Sequence, residues 1–296
     1  MVTLDEIVAA RDRIRPIAKV TPLLDASTLS GRPLWLKCES LQPGGAFKIR
    51  GAYNMVAQLS DDQRRRGVIT YSSGNHGQAV AIAAAALGAP AVVVMPTTAP
   101  AIKVEGAKKF GAEVIFAGTT SLHRRARAEE EAAARDLTMV PPFDHEWIIA
   151  GQGTLGLEIL EQKPDVATIL APIGGGGLVS GVSAAVKQSR ADVQVIGIEP
   201  AGADGMRRSI AAGHVLTHET SKSIADGLMA VRPGDLNFAH VRRFVDRIDT
   251  VEDREIAAAV RWLYERAQIV AEPSGAATVA AAIRPTSNYA APVVAI

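Results

Sequence analysis

From about Gly67 onward, short β-branched runs alternate with helical patterns: Val68 to Tyr71, Ala91 to Met95, Val114 to Phe116, Val166 to Ala171 and Val193 to Ile198. Parallel neighbours need a crossover long enough to carry a helix, so this rhythm predicts an α/β fold built on a parallel sheet. Gly88 and Gly111 each follow an apolar helical face and are read as left-handed caps. Thr3 and Glu6 form a capping box that starts the first helix. The charged stretch from Ser121 to Asp136 reads as a solvated helix face, and Ala290 to Ile296 as a buried strand. Pro141 and Pro142 punctuate the chain before Gly151, the candidate return crossing between domains.

A chain of 296 residues leads us to expect two domains, or one with a large insertion. Its 32 basic and 31 acidic residues nearly cancel, so no basic patch for nucleic acid is expected, and small-molecule chemistry is favoured. A lone cysteine, Cys38, leaves no internal disulfide or cysteine metal cluster, as suits a reducing cytosol. His214 and His218 lack an acidic residue in their spacing and are read as surface or core residues rather than zinc ligands. No apolar run approaches the roughly 20 residues that span a bilayer, and the N-terminus has no signal-peptide pattern. A soluble, cytoplasmic protein without membrane partners is therefore expected.

Three segments could carry chemistry. Ser72-Ser73-Gly74-Asn75-His76-Gly77-Gln78 lies between a strand ending at Tyr71 and a helix from Ala79. Free amides, small hydroxyls and a helix dipole there could hold a carboxylate or phosphate. A cap would need one such residue, and seven in succession exceed that need. Gly174-Gly175-Gly176-Gly177 follows the strand Ile169 to Ile173 and precedes a helix from Leu178. Four residues without Cβ atoms let several N–H groups turn toward one phosphate, and their entropic cost argues against a simple turn. The dinucleotide fingerprint fails at Val179, and no lysine followed by Ser or Thr completes a nucleoside-triphosphate loop. Glu199, ending the next strand, keeps a ribose contact open. The third segment, Gly44 to Ala52, places Lys48 in an apolar, glycine-flanked setting. Alone, that lysine reads as solvated. Beside a phosphate cradle and a polar loop it completes the set needed to bind pyridoxal 5'-phosphate (PLP) through an imine.

Six ordered segments resemble the fold type II PLP enzymes, in particular the serine/threonine dehydratase and serine racemase group. They are Ala46 to Ala52, Ser72 to Gln78, Ala150 to Thr154, Gly174 to Leu178, Ile224 to Gly227 and Glu272 to Ala276. The resemblance implies a two-domain α/β fold like the tryptophan synthase β chain, with mostly parallel sheets flanked by helices. Residues 1–52 and 146–296 would form a large PLP-binding domain and 53–145 a small mobile one, usually within a homodimer. It implies that Lys48 carries the cofactor as a Schiff base, Phe47 packs beside its ring, Asn75 bonds the ring 3-hydroxyl oxygen, and Gly174, Gly175, Gly176 and Gly177 hold the phosphate. Ser72, Ser73, Asn75 and His76 would take the substrate carboxylate. Ser73, facing the cofactor opposite Lys48, would be the second catalytic acid/base in a racemase.

Three departures stand out. Ala46 replaces the usual serine before the Phe-Lys pair. In members that bind a divalent cation, Glu199 and Ala203 match ligands, but the second acid falls on Gly205, with Asp204 as a substitute, leaving no assigned metal ligands. The Ser-Gly-Gly-Asn segment, whose serine bonds the pyridine nitrogen, would come just after Ile296, and a continuing natural chain is expected. The implied activity is elimination of water and ammonia from serine, threonine or a similar amino acid, with Lys48 released neutral to act as base. Amino acid racemisation or β-replacement, and a noncatalytic PLP-binding protein, are the alternatives. A nicotinamide oxidoreductase trails them.

Overall fold

Alternation along the strands accounts for the two layers of side chains that build the larger sheet. The computed structural model describes residues 1–72 and 74–296. Its strands are β1 (Leu23–Asp25), β2 (Leu34–Lys37), β3 (Val68–Tyr71), β4 (Ala91–Met95), β5 (Glu113–Phe116), β6 (Thr138–Met139), β7 (Thr168–Pro172), β8 (Gln194–Pro200), β9 (Arg247–Val251) and β10 (Val293–Ala295). One sheet runs β1-β2-β10-β7-β8-β9, with only β1 antiparallel to its neighbour among these pairings, and the other runs β5-β4-β3-β6, all parallel. In the first, Leu170, Ile196, Ile198, Val293 and Ala295 face the helices Asp253–Ala267 and Pro273–Ile283. Ile169, Ala171, Val195 and Val294 face the helices Glu146–Gln162 and Gly177–Ser189 on the other side. Burial on both faces is why these strands read as continuous apolar runs rather than as alternating ones.

The five strands expected after Gly67 are present within a residue or two at each end. The capping box at Thr3 and the left-handed caps at Gly88 and Gly111 form as read. The helix Ser121–Arg135 buries only Ala128 among its residues, carries the pairs Arg125–Glu129 and Arg127–Glu131, and ends on left-handed Asp136.

Two local readings change. The helix after Tyr71 starts at Asn75, four residues before Ala79, so half of the expected polar loop is its first turn. Gly151 is no crossing point, because it lies inside the helix Glu146–Gln162. An added Cβ at Gly151 would sit 2.6 Å from the Gly51 Cα and 2.7 Å from the Arg50 carbonyl oxygen. The glycine is there to let this helix cross the Lys48–Val56 helix at backbone contact. That Lys48–Val56 helix also packs on Asn75–Ala86, whose alanines let the helices approach closely, so Lys48 lies between elements of the two sheets. No helix among the described residues is long and apolar enough to cross a membrane.

Candidate active site

Lys48 opens its helix after two glycines in the left-handed region, Gly44 (φ 78°) and Gly45 (φ 74°), and an extended Ala46. Its Nζ donates to the Pro142 carbonyl oxygen at 2.8 Å and lies 5.2 Å from the centre of the Phe47 ring. Phe47 itself packs against the core of the larger sheet. Burial pushes the Lys48 ammonium down to about 8, partly opposed by the negative charge of Glu272. About a tenth of such an amine is neutral at pH 7, against a few ten-thousandths for an ordinary lysine.

Two residues along the same helix, the fully buried Arg50 guanidinium sits between two carboxylates. It donates to Glu39 Oε2 (2.8 Å) and Oε1 (2.9 Å), and to Glu158 Oε1 (2.6 Å) and Oε2 (2.9 Å). Further bonds reach Thr154 Oγ1 and the Lys19 carbonyl oxygen. Lys37 adds a second cation at 2.9 Å from Glu158, so two positive and two negative charges close the cluster. This network anchors the start of the lysine helix from beneath.

The segment following Pro142 connects the lysine to the tetraglycine loop. An added Cβ on Gly175 would run into the Phe143 ring, and one on Gly177 would lie 2.9 Å from the Phe143 Cβ. On Gly174 it would lie 3.0 Å from the Gly227 carbonyl oxygen, and on Gly176 2.8 Å from the Asn237 Cβ. Gly176 also has φ 103°, a conformation side-chained residues rarely adopt. Among the described residues, no protein acceptor engages the N–H groups of Gly174 to Leu178, and those of Gly177 and Leu178 open the helix Gly177–Ser189.

The polar loop closes the other side. Ser72 Oγ accepts the Gly74 N–H at 3.1 Å, while Ser73 lies outside the described residues. Asn75 Nδ2 donates to Glu272 Oε1 at 2.6 Å, and Lys103 Nζ donates to Asn75 Oδ1 at 2.8 Å. Lys103 is itself 3.8 Å from Glu272. The His76 imidazole is buried and donates through Nε2 to the Val140 carbonyl oxygen at 3.1 Å, with Nδ1 unpartnered among the described residues. Burial, then the nearby Lys48 charge, pushes it down to about 3, so the ring is neutral at neutral pH. The ring can offer no cation to a carboxylate, whereas the His76 main-chain N–H lies in the first turn of the helix, where it has no intrahelical acceptor.

The structure thus links Lys48, the tetraglycine loop and the Asn75 turn through Pro142, Phe143, Gly227 and Glu272. Sequence reasoning gave no role to Pro142, Phe143, Lys103, Glu272 or Asn237. Glu272 was visible within a recurring segment, but an acid before a proline reads only as a helix start.

These features fit a PLP cofactor: a depressed lysine amine faces the elements of a backbone cradle that side chains would fill. At Glu199, which the resemblance matches to a cation ligand in some members, the surroundings are protein groups. Both Glu199 oxygens accept main-chain N–H groups, from Met206 and Arg207 at 2.9 Å each, and burial pushes this carboxyl up to about 8. An added Cβ on Gly205 would meet the His218 ring at 3.2 Å, so an imidazole occupies the direction an acid would take. Among the described residues, no group of three or more His, Cys, Asp or Glu is placed to hold a metal ion.

Comparison with known proteins agrees with this geometry. The family described as pyridoxal-phosphate dependent enzyme matches residues 14–296. The chain is 42% identical over 289 residues to an L-threonine ammonia-lyase of Thermotoga maritima, covering 96% of this chain and 71% of that one. It is also 42% identical over 277 residues to a serine racemase of Oryza sativa subsp. indica, covering 93% and 81%. The solved structure of maize serine racemase superposes with a TM-score of 0.95 at 38% identity, covering 99% of this chain and 92% of that one. With the family matching residues 14–296 and a solved relative superposing over 99% of its length, the chain belongs to the fold type II pyridoxal-phosphate-dependent enzymes.

Proposed function

We propose that this chain is a PLP-dependent ammonia-lyase that eliminates water and ammonia from a small β-hydroxy amino acid, leaving a 2-oxo acid. The carrying observation is the Lys48 amine, pushed down to about 8 and held at the Pro142 carbonyl, one residue from the Phe143 ring that lines the tetraglycine loop. PLP, when bound, supplies an electron sink for the charge left by a broken bond at the substrate Cα. Lys48 would hold the cofactor and would take the substrate Cα proton, because its depressed pKa makes the neutral form accessible. Gly174, Gly175, Gly176 and Gly177 hold the phosphate through main-chain N–H groups, and Phe47 flanks the ring. Ser72, Asn75 and His76 take the substrate carboxylate, His76 through its N–H rather than its ring. Asn75 Nδ2, now on Glu272, is the donor for the ring oxygen, and Lys103 keeps that amide oriented by holding its oxygen.

Racemisation on the same scaffold is the second reading, since a serine racemase and a threonine ammonia-lyase match at the same 42% identity. Ser73 would then be the acid/base opposite Lys48. Residues 1–52 and 146–296 as a large domain and 53–145 as a small mobile one are supported by the composition of the two sheets. Buried, unpaired Cys38 supports a reducing cytoplasm, and the resemblance supports a homodimer.

The test is incubation with L-serine, L-threonine and hydroxyaspartate, assaying 2-oxo acid against D-isomer. The lyase reading expects oxo acid in excess, and D-isomer in excess selects the racemase. Neither product, despite a visible band that borohydride fixes onto Lys48, would leave a noncatalytic binder. Equal oxo-acid yield from Lys48→Ala contradicts the mechanism.

A further inference from the structure

The tetraglycine loop has a flexibility problem that its own residues cannot solve. A peptide between two glycines can rotate about its neighbouring bonds with little steric hindrance, so the direction of its N–H must be set from outside. The Gly175–Gly176 peptide is trans, which points the Gly175 carbonyl and the Gly176 N–H in opposite directions. The carbonyl accepts two bonds from the start of the helix Asp235–Phe244: Asn237 Nδ2 at 3.0 Å and the Gly234 N–H at 3.1 Å. The Gly176 N–H is therefore turned away from that helix.

Asn237 is itself rigidly placed. It is fully buried, its N–H reaches Asp144 Oδ1 at 3.3 Å, and its carbonyl oxygen accepts Ser180 Oγ at 3.3 Å. Asp144 also accepts the N–H groups of Asp235 and Leu236, so the segment carrying Pro142 and Phe143 holds the helix start that steers the loop. The Asn237 Oδ1 has no partner among the described residues. An amide kept at full burial with its oxygen unsatisfied points to its N–H₂ as the group the position needs.

We propose that Asn237 is a positioning residue for the cofactor phosphate: by clamping the Gly175 carbonyl, its carboxamide aims the Gly176 N–H into the anion cradle. The inference rests on the reading of the tetraglycine loop as that cradle. Asn237 touches no reacting atom, so its effect belongs to phosphate recognition and not to the amine chemistry of Lys48.

The test titrates apo-protein with pyridoxal 5'-phosphate and, separately, with pyridoxal, which lacks the phosphate. Wild type should bind the phosphate form much more tightly. Asn237→Val keeps the bulk and loses the donor, and should narrow that preference about ten- to hundredfold, the equivalent of one charge-assisted hydrogen bond. Pyridoxal affinity should stay unchanged. An unchanged preference in the Val variant or a parallel loss for both ligands each overturns the assignment. If wild type shows no preference between the two ligands, the cradle reading fails instead.

Discussion

Replacing Arg50 by Met tests the buried charge cluster beneath Lys48. The substitution keeps much of the side-chain volume but removes the donor of all the guanidinium bonds to Glu39 and Glu158. Lys37 still faces Glu158, whereas the Glu39 side chain, at 6% exposure, keeps only Thr21 and Gln42 as hydrogen-bond partners among the described residues. The neutral foursome becomes a buried set with one uncompensated negative charge. Breaking such a pair from one side costs about 3–5 kcal/mol. That is a large part of the roughly 5–15 kcal/mol by which folded proteins are stable. Burial pushes the Glu39 carboxyl up, but the Arg50 charge and hydrogen bonds more than offset this and hold it below the ordinary carboxylate value. In wild type its contribution is therefore present above the unfolded value near 4.5 and lost as pH falls through the lower folded value. Without Arg50 the upward push of burial dominates, folded Glu39 binds its proton more readily than unfolded Glu39, and the deficit shrinks as pH falls. Urea unfolding followed by circular dichroism at pH 8 and pH 5.5 should show the full loss at pH 8 and a smaller one at pH 5.5. Adding Glu39→Gln should recover part of it at pH 8 by removing the orphaned charge. The reasoning is refuted if Arg50→Met stays within about 0.5 kcal/mol of wild type at both pH values, as an ordinary surface change would. A deficit that grows on acidification refutes it equally.

Glu272→Gln removes the charge that raises the Lys48 amine, so the half-maximum of borohydride-trapped PLP capture should move to lower pH; an unmoved or higher midpoint counts against the contact. His76 is held neutral at about 3, below the ordinary 6.5, so its stabilising contribution is present above 6.5 and lost progressively below it. Melting curves from pH 7 to pH 5 should therefore fall more steeply for wild type than for His76→Gln, and parallel slopes would show that the ring charges freely. Gly151→Ala places a methyl group against the Gly51 Cα and the Arg50 carbonyl, backbone that cannot rotate aside, and should lower stability by about 1–3 kcal/mol or more. A melting temperature equal to wild type would mean that the two helices do not touch there.

Much of the fold was legible because its signals are local. The β-branched runs, the caps at Thr3, Gly88 and Gly111, and the placement of Gly174 to Gly177 between strand and helix all depend on backbone sterics and on neighbours within a few residues. The same locality explains the misreadings. Asn, His and Gly look like loop residues, yet the Asn75 turn is already helical. Gly151 reads as a return crossing between domains, yet lies within a helix that crosses another at Gly51, a hundred positions away in the chain.

By itself, the sequence determined the α/β class through the spacing of its strands and helices, and pointed to the family through six segments that resemble known members, with Lys48 and the Gly174 to Gly177 loop standing out as candidates. Only the tertiary structure decided that Glu272 meets Asn75 across 197 positions, that Glu39 and Glu158 both close on Arg50, that β10 enters between β2 and β7, and that Asn237 steers a glycine peptide. No periodicity encodes such pairings. They follow from the order in which strands and helices stack, and in turn burial pushes Lys48 and His76 down while the Arg50 charge and hydrogen bonds hold Glu39 below the ordinary carboxylate value.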